Sequence, residues 1–99
     1  MTLVHWAFIY QAAGADPGRD SRTVRHEGCR VDLVAVGSHD QAVGEARRLA
    51  RDGAQLIELC GGFGPVWTAR VIEAVDGRVA VGAVGYGAES IERVHAIFS

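Results

Sequence analysis

Four apolar runs divide the chain. Residues 3–11 (LVHWAFIYQ), 30–37 (RVDLVAVG), 55–60 (QLIELC) and 79–86 (VAVGAVGY) are rich in β-branched and aromatic residues and are bounded by glycine or polar positions. That composition predicts strands. None of the runs alternates cleanly between apolar and polar residues, and near-continuous apolarity is the pattern of strands covered on both faces, as in parallel sheets.

Helical periodicity lies between and after these runs. Ser38-His39-Asp40-Gln41 has the form of a capping box, and Ala42, Val43, Ala46, Leu49 and Ala50 follow at helical spacing,. Arg47, Arg48 and Arg51 crowd the end of that helix, where cations suit the dipole, and Gly53 caps it,. A second helix starts after Gly64 with Pro65 in its first turn, carries Trp67, Val71, Ile72 and Val75 as a stripe, and stops at Gly77,. A third begins near Ala88 or Glu89 and sets Ile91, Val94, His95 and Phe98 on one face. Residues 12–18 read as loop, and residues 20–27 as a short helix ended by Gly28,.

The order of elements is β-(α)-β-α-β-α-β-α, which implies an α/β domain with right-handed crossovers. The preferred architecture is a four-stranded parallel sheet from (βα)4 units, doubly wound and flavodoxin-like, with helices on both faces. The alternative is a half (βα)8-barrel completed by dimerisation. Either leaves sheet edges and apolar surface to cover, so a homodimer or higher homo-oligomer is expected.

Composition narrows the function classes. Ninety-nine residues make one domain, taken as residues 1–99,. The net charge is −2 and every one of the ten basic residues is Arg. The missing basic patch argues against nucleic acid as a partner, and the missing Lys excludes Schiff-base chemistry. No apolar stretch reaches the ~18–20 residues of a membrane span, and no basic segment leads into an apolar run as in a signal peptide. Cys29 and Cys60 are too few for a disulfide scaffold,. The expectation is a cytoplasmic protein with two unbridged cysteines.

Parallel α/β sheets bind ligands beyond the carboxyl ends of their strands, and barrels use the same edge. Both architectures therefore nominate Tyr10, Gln11, Gly37, Ser38, the loop Cys60-Gly61-Gly62-Phe63-Gly64, and Gly85-Tyr86-Gly87. Three glycines in four positions let a ligand approach the main chain, and the helix that follows offers free N–H groups to an anion. The same glycines also fit a tight strand-to-helix turn. Gly85-Tyr86-Gly87-Ala88-Glu89-Ser90 misses the dinucleotide fingerprint at its third glycine,. No cofactor is expected.

Glu58 interrupts an apolar strand, where a carboxylate must be paired, hydrogen-bonded or protonated, and such a group suits general acid or base work. Cys60, two residues on, has the placement of a nucleophilic thiol, although free cysteines are more often inert core residues. His5 shares a face with Glu58 in this reading, and its plainer role is a satisfied core histidine. His26, His39 and His95 read as helix-surface residues. No zinc spacing exists, so no metal is expected. Ser38 is explained as an N-cap and no nucleophile elbow is present.

The run LIELCGGFGP (residues 56–65), the run VGAVGYGAES (residues 81–90) and Trp6-Ala7-Phe8-Ile9-Tyr10 resemble a family of short, uncharacterised bacterial α/β proteins catalogued as a domain of unknown function. The resemblance spans nearly the whole chain and is weakest over residues 12–28. It implies fold and domain extent and carries over no catalytic residue.

Two functional readings follow. One is a small cofactor-independent enzyme, isomerase-, lyase- or cyclase-like, in which Glu58 with Cys60 or Tyr86 moves protons on a small anionic or carbonyl-bearing metabolite. In it the main-chain N–H groups of residues 61–64 hold the developing charge, and Tyr10, Gln11, Gly85 and Gly87 complete the site. The other is a non-catalytic metabolite-binding or assembly module. Convergence of Glu58, Cys60 and Tyr86 on one open pocket separates the two.

Overall fold

The computed structural model describes residues 2–99. Three of the apolar runs fold into the parallel strands β1 (His5–Gln11), β3 (Cys29–Val36) and β4 (Leu56–Leu59), and the fourth forms the short β5 (Ala80–Ala83). A further strand, β2 (Arg22–His26), runs antiparallel to β3 on the sheet edge. The helices are α1 (Pro17–Asp20), α2 (His39–Arg51), α3 (Gly64–Val75) and α4 (Ile91–Phe98), the last entered through a 3-10 turn at Ala88–Ser90. The sheet order is β2-β3-β1-β4-β5. None of the described helices is long and apolar enough to cross a membrane.

This order corrects the half-barrel alternative. A barrel segment needs its strands side by side in chain order, whereas β1 here lies between β3 and β4. The helix expected over residues 20–27 is also corrected. Thr23 and Val24 are β-branched, and Glu27 and Gly28 both adopt positive φ (40° and 84°). Two central residues with positive φ make the tight turn that matches strand twist, so β2 and β3 form a hairpin. The sheet thus has five strands rather than four.

The hairpin changes what covers the sheet. A crossover helix between β1 and its parallel neighbour β3 would lie on one face, while α2 and α3, which cross the other way, lie together on the opposite face. Here the chain passes over the carboxyl edge through α1 and returns as β2, so no helix crosses the first face. The core accordingly has one side. Ala7, Ile9, Val34, Val36, Ile57 and Leu59 of the strands pack under Ala42, Ala46 and Leu49 of α2 and Val71 and Val75 of α3, all buried. The alternate strand positions Trp6, Phe8, Tyr10, Val31, Leu33 and Leu56 are only half-buried. The two long crossover helices, α2 and α3, thus share one face of a mostly parallel sheet.

The start of α2 follows the sequence reading. Ser38 is the N-cap of a capping box, and Gln41 Oε1 accepts from the N–H groups of Gly37 (2.7 Å) and Ser38 (3.3 Å). Ser38→Ala is expected to cost about 1 kcal/mol, visible as a lower urea midpoint with an unchanged slope. An unmoved midpoint would mean that Gln41 alone secures the turn.

Candidate functional site

Strand order reverses at β1. The chain steps from β1 toward β3 on one side and from β4 toward β5 on the other, so the loops after the neighbouring strands β1 and β4 diverge at the carboxyl edge,. A hollow of about 400 Å³ opens there, lined by Gln11, Ala13, His39, Cys60, Gly61, Gly62, Tyr86 and Phe98. Gln11 ends β1, Cys60 follows β4, and His39 is the first residue of α2.

The loop after β4 is shaped by close contact. The Phe63 N–H donates to the Cys60 carbonyl at 3.2 Å, closing the turn. A Cβ on Gly61 would lie 2.6 Å from Cε2 of Tyr86, so the missing side chain is what lets the phenol ring rest on the loop. Gly64 carries the positive φ (71°) that starts α3. Gly62 has neither constraint, since its φ lies outside the left-handed region and its nearest neighbour would be Cys60 Sγ at 3.8 Å.

His39 is held over this loop. Its Nε2 lies 3.0 Å from the Gly62 carbonyl oxygen. A carbonyl only accepts, so Nε2 carries the proton, and in the neutral ring Nδ1 keeps its lone pair. The imidazole also packs on Phe63 and Trp67, with ring centroids 5.1 and 5.5 Å away.

The nominated residues separate into groups. Gln11, Cys60, Gly61, Gly62 and Tyr86 meet at the hollow. Glu58 does not line it. It stands one strand repeat below Cys60, between Phe8 of β1 and Gly82 of β5 in the register, on the open sheet face. Tyr10 is on that face too, stacked on Phe8 at 6.4 Å. Phe63 is buried beneath His39. Gly64 and Gly85 line a different groove, between α3 and the end of β5, and Gly87 precedes the 3-10 turn. Glu58, Cys60 and Tyr86 therefore converge in part, as two groups rather than three.

His39, Ala13 and Phe98 are lining residues that the sequence reading missed. His39 had a usable signal, because the first helical residue after a strand projects toward the carboxyl edge. His5 falls on the covered face, opposite Glu58, which corrects the shared-face reading. Its Nε2 donates to Asp32 Oδ2 at 2.7 Å in a buried pair. His26 lies in β2 rather than on a helix. Cys29 and Cys60 are both free thiols.

A second hollow of about 390 Å³ lies between α1, β2, β3 and α2. Its ionic groups are already engaged: Arg30 with Asp32 (3.1 Å), Arg48 with Glu45 (2.8 Å), and Arg22 with the carbonyls of Arg19 and Ser21. Arg30, Asp32, Arg48 and Glu45 are thus paired with one another, and of the charged groups lining this hollow only Arg22 has no carboxylate within salt-bridge distance among the described residues. Among the described residues no group of three or more His, Cys, Asp or Glu side chains is placed to hold a metal ion.

Compared with known proteins, the chain matches no curated protein and no solved structure. A family model matches residues 4–99, and the chain belongs to that family, a family of unknown function designated DUF6506.

Proposed function

We propose that the hollow at the carboxyl edge binds a small anionic or carbonyl-bearing metabolite and that the protein moves a proton on it without a bound cofactor, in an isomerase-, lyase- or cyclase-like reaction. The observation that carries this reading is the convergence of Gln11, His39, Cys60 and Tyr86 on one hollow. The parallel strands run β3-β1-β4-β5, which has the pattern of flavodoxin-like sheets, where ligands occupy the crevice at the reversal of strand order. In this reading Cys60 and Tyr86 exchange protons with the substrate, Gln11 orients it, and main-chain N–H groups of Gly61 and Gly62 hold the developing negative charge. Glu58 lies outside the hollow, and the acid and base roles pass to Cys60, Tyr86 and His39. The protein works as a homo-oligomer in the cytoplasm, where its two thiols stay reduced.

A second reading, binding without catalysis, draws on that same placement of Glu58. The two are separated by incubating the protein in D2O with a panel of 2-oxo acids and hydroxy acids and following loss of substrate C–H signals by NMR. The expected result is exchange on at least one compound, slowed ~100-fold or more by Cys60→Ser or Tyr86→Phe. Thermal stabilisation by a compound whose C–H bonds never exchange would favour the binding module. Exchange that both variants leave intact would remove the site assignment.

A further inference from the structure

The open sheet face has the composition of an interior. Trp6, Phe8 and Tyr10 of β1, flanked by Leu33 of β3 and Leu56 of β4, form an apolar field with no helix over it. The total accessible surface is 6286 Å². A monomeric globule of 10.5 kDa exposes about 5400 Å²,. The excess, about 850 Å², to which the exposed Ile91, Ile97 and Phe98 of α4 also contribute, is of the size that each partner brings to a stable interface, roughly 800 Å²,.

The charges on this face are self-complementary. In the register, Arg22 of β2, Leu33 of β3, Phe8 of β1 and Glu58 of β4 form one row across the sheet. The row continues to Gly82 of β5, and its four positions from Arg22 to Glu58 read positive, apolar, apolar, negative about a centre between β3 and β1. Among the described residues Glu58 has no hydrogen-bond or ion-pair partner. Arg22 reaches only the carbonyls of Arg19 (3.2 Å) and Ser21 (2.9 Å), with no carboxylate within salt-bridge distance.

We propose that a second copy of this chain covers the open face, sheet on sheet, about a two-fold axis that runs parallel to the strands between β1 and β3. This rests on the homo-oligomeric reading above and names its surface and symmetry. The rotation sets Phe8 of each copy over Leu33 of the other and Glu58 of each over Arg22 of the other. Facing sheets lie ~10 Å apart, a gap that a glutamate and an arginine side chain span together. The row thus makes two equivalent ion pairs around an apolar centre, the self-matching that a two-fold interface requires. It also gives Glu58 a role that its position outside the hollow leaves open.

Sedimentation equilibrium on the full chain tests this, with circular dichroism to confirm folding. Wild type is expected to be a dimer at micromolar concentration. Glu58→Arg and Arg22→Glu alone should each raise the dimer dissociation constant at least tenfold, and the double exchange should recover most of that loss. Phe8→Arg, which leaves the ion pair intact but places charge at the centre, should give a folded monomer. A wild-type monomer, as when α4 folds back over its own sheet, would overturn both the oligomeric reading and this interface. A wild-type dimer that Glu58→Arg and Phe8→Arg leave intact would overturn the interface alone.

Discussion

Replacing Asp32 with alanine is expected to destabilise the protein by about 3 kcal/mol near neutral pH. Asp32 is 5% exposed, inside β3, and accepts three hydrogen bonds: from His5 Nε2 of β1 (2.7 Å), Thr23 Oγ1 of β2 (2.7 Å) and Arg30 Nε of β3 (3.1 Å). One carboxylate thereby joins three strands and fixes the β2 hairpin to the rest of the sheet. Deletion leaves a buried imidazole N–H and a half-buried hydroxyl without an acceptor, and unmet buried donors are the costly case. The effect depends on pH. Burial raises the Asp32 carboxyl, but the bonds from His5, Thr23 and Arg30 outweigh burial and hold it below the usual carboxylate range. A group held low in the folded state adds stability above its unfolded value, near ~3.9, and loses it as pH falls through the folded value. The gap between wild type and Asp32→Ala should therefore be widest above about pH 5 and should narrow toward about pH 3. Urea unfolding at both pH values measures it. A gap under about 1 kcal/mol at neutral pH, or one that stays constant on acidification, would show that the three bonds contribute little.

The cluster around Asp32 also marks where the sequence stops being informative. The run RVDLVAVG declares a strand through its β-branched residues, and the two helices between the later strands declare themselves through Ser38, Pro65 and Gly77. Each of those signals is local. The partners of Asp32 are not: His5 and Thr23 reach it only through the register of β1 and β2 against β3, and register leaves no trace in a single sequence. Strand order is hidden for the same reason, because helices of similar length serve a barrel segment and a reversed sheet alike. The β2 hairpin was legible in principle. Thr23 and Val24 followed by Glu27-Gly28 is a turn signal, but it lacks the usual Asn or Asp before glycine. Missing it also hid the bare sheet face, since near-continuous apolarity says that a face will be covered and not by what. Glu58 stood out correctly as a misplaced charge in an apolar strand. Its direction, away from the hollow and into the open face, needed the register.

Gly37 and Gly61 should answer an added methyl group in opposite ways. A Cβ at Gly37 would lie 2.6 Å from the Ala15 carbonyl oxygen, and a Cβ at Gly61 would lie 2.6 Å from a ring carbon of Tyr86. The overlaps are equal and the neighbours are not. The Ala15 carbonyl is main chain, in a loop tied down on both sides: the Ala12 N–H donates to Val36 O at 2.9 Å, the Ala15 N–H to Ala12 O at 3.0 Å, and Asp16 caps α1. Gly37→Ala must displace that loop, and strain of this kind costs about 2 kcal/mol. Tyr86 is the end of a side chain that is 55% exposed. It can swing into solvent, so Gly61→Ala should change stability by less than about 1 kcal/mol while removing one wall of the hollow. The readouts differ accordingly. Gly37→Ala should lower the urea midpoint and leave the Tyr86 ring resonances near their wild-type positions. Gly61→Ala should hold the midpoint and move those resonances toward the values of a free tyrosine, with any ligand of the hollow bound at least tenfold more weakly. Equal losses of stability in the two variants would mean that the Tyr86 ring is locked in place as firmly as the main chain.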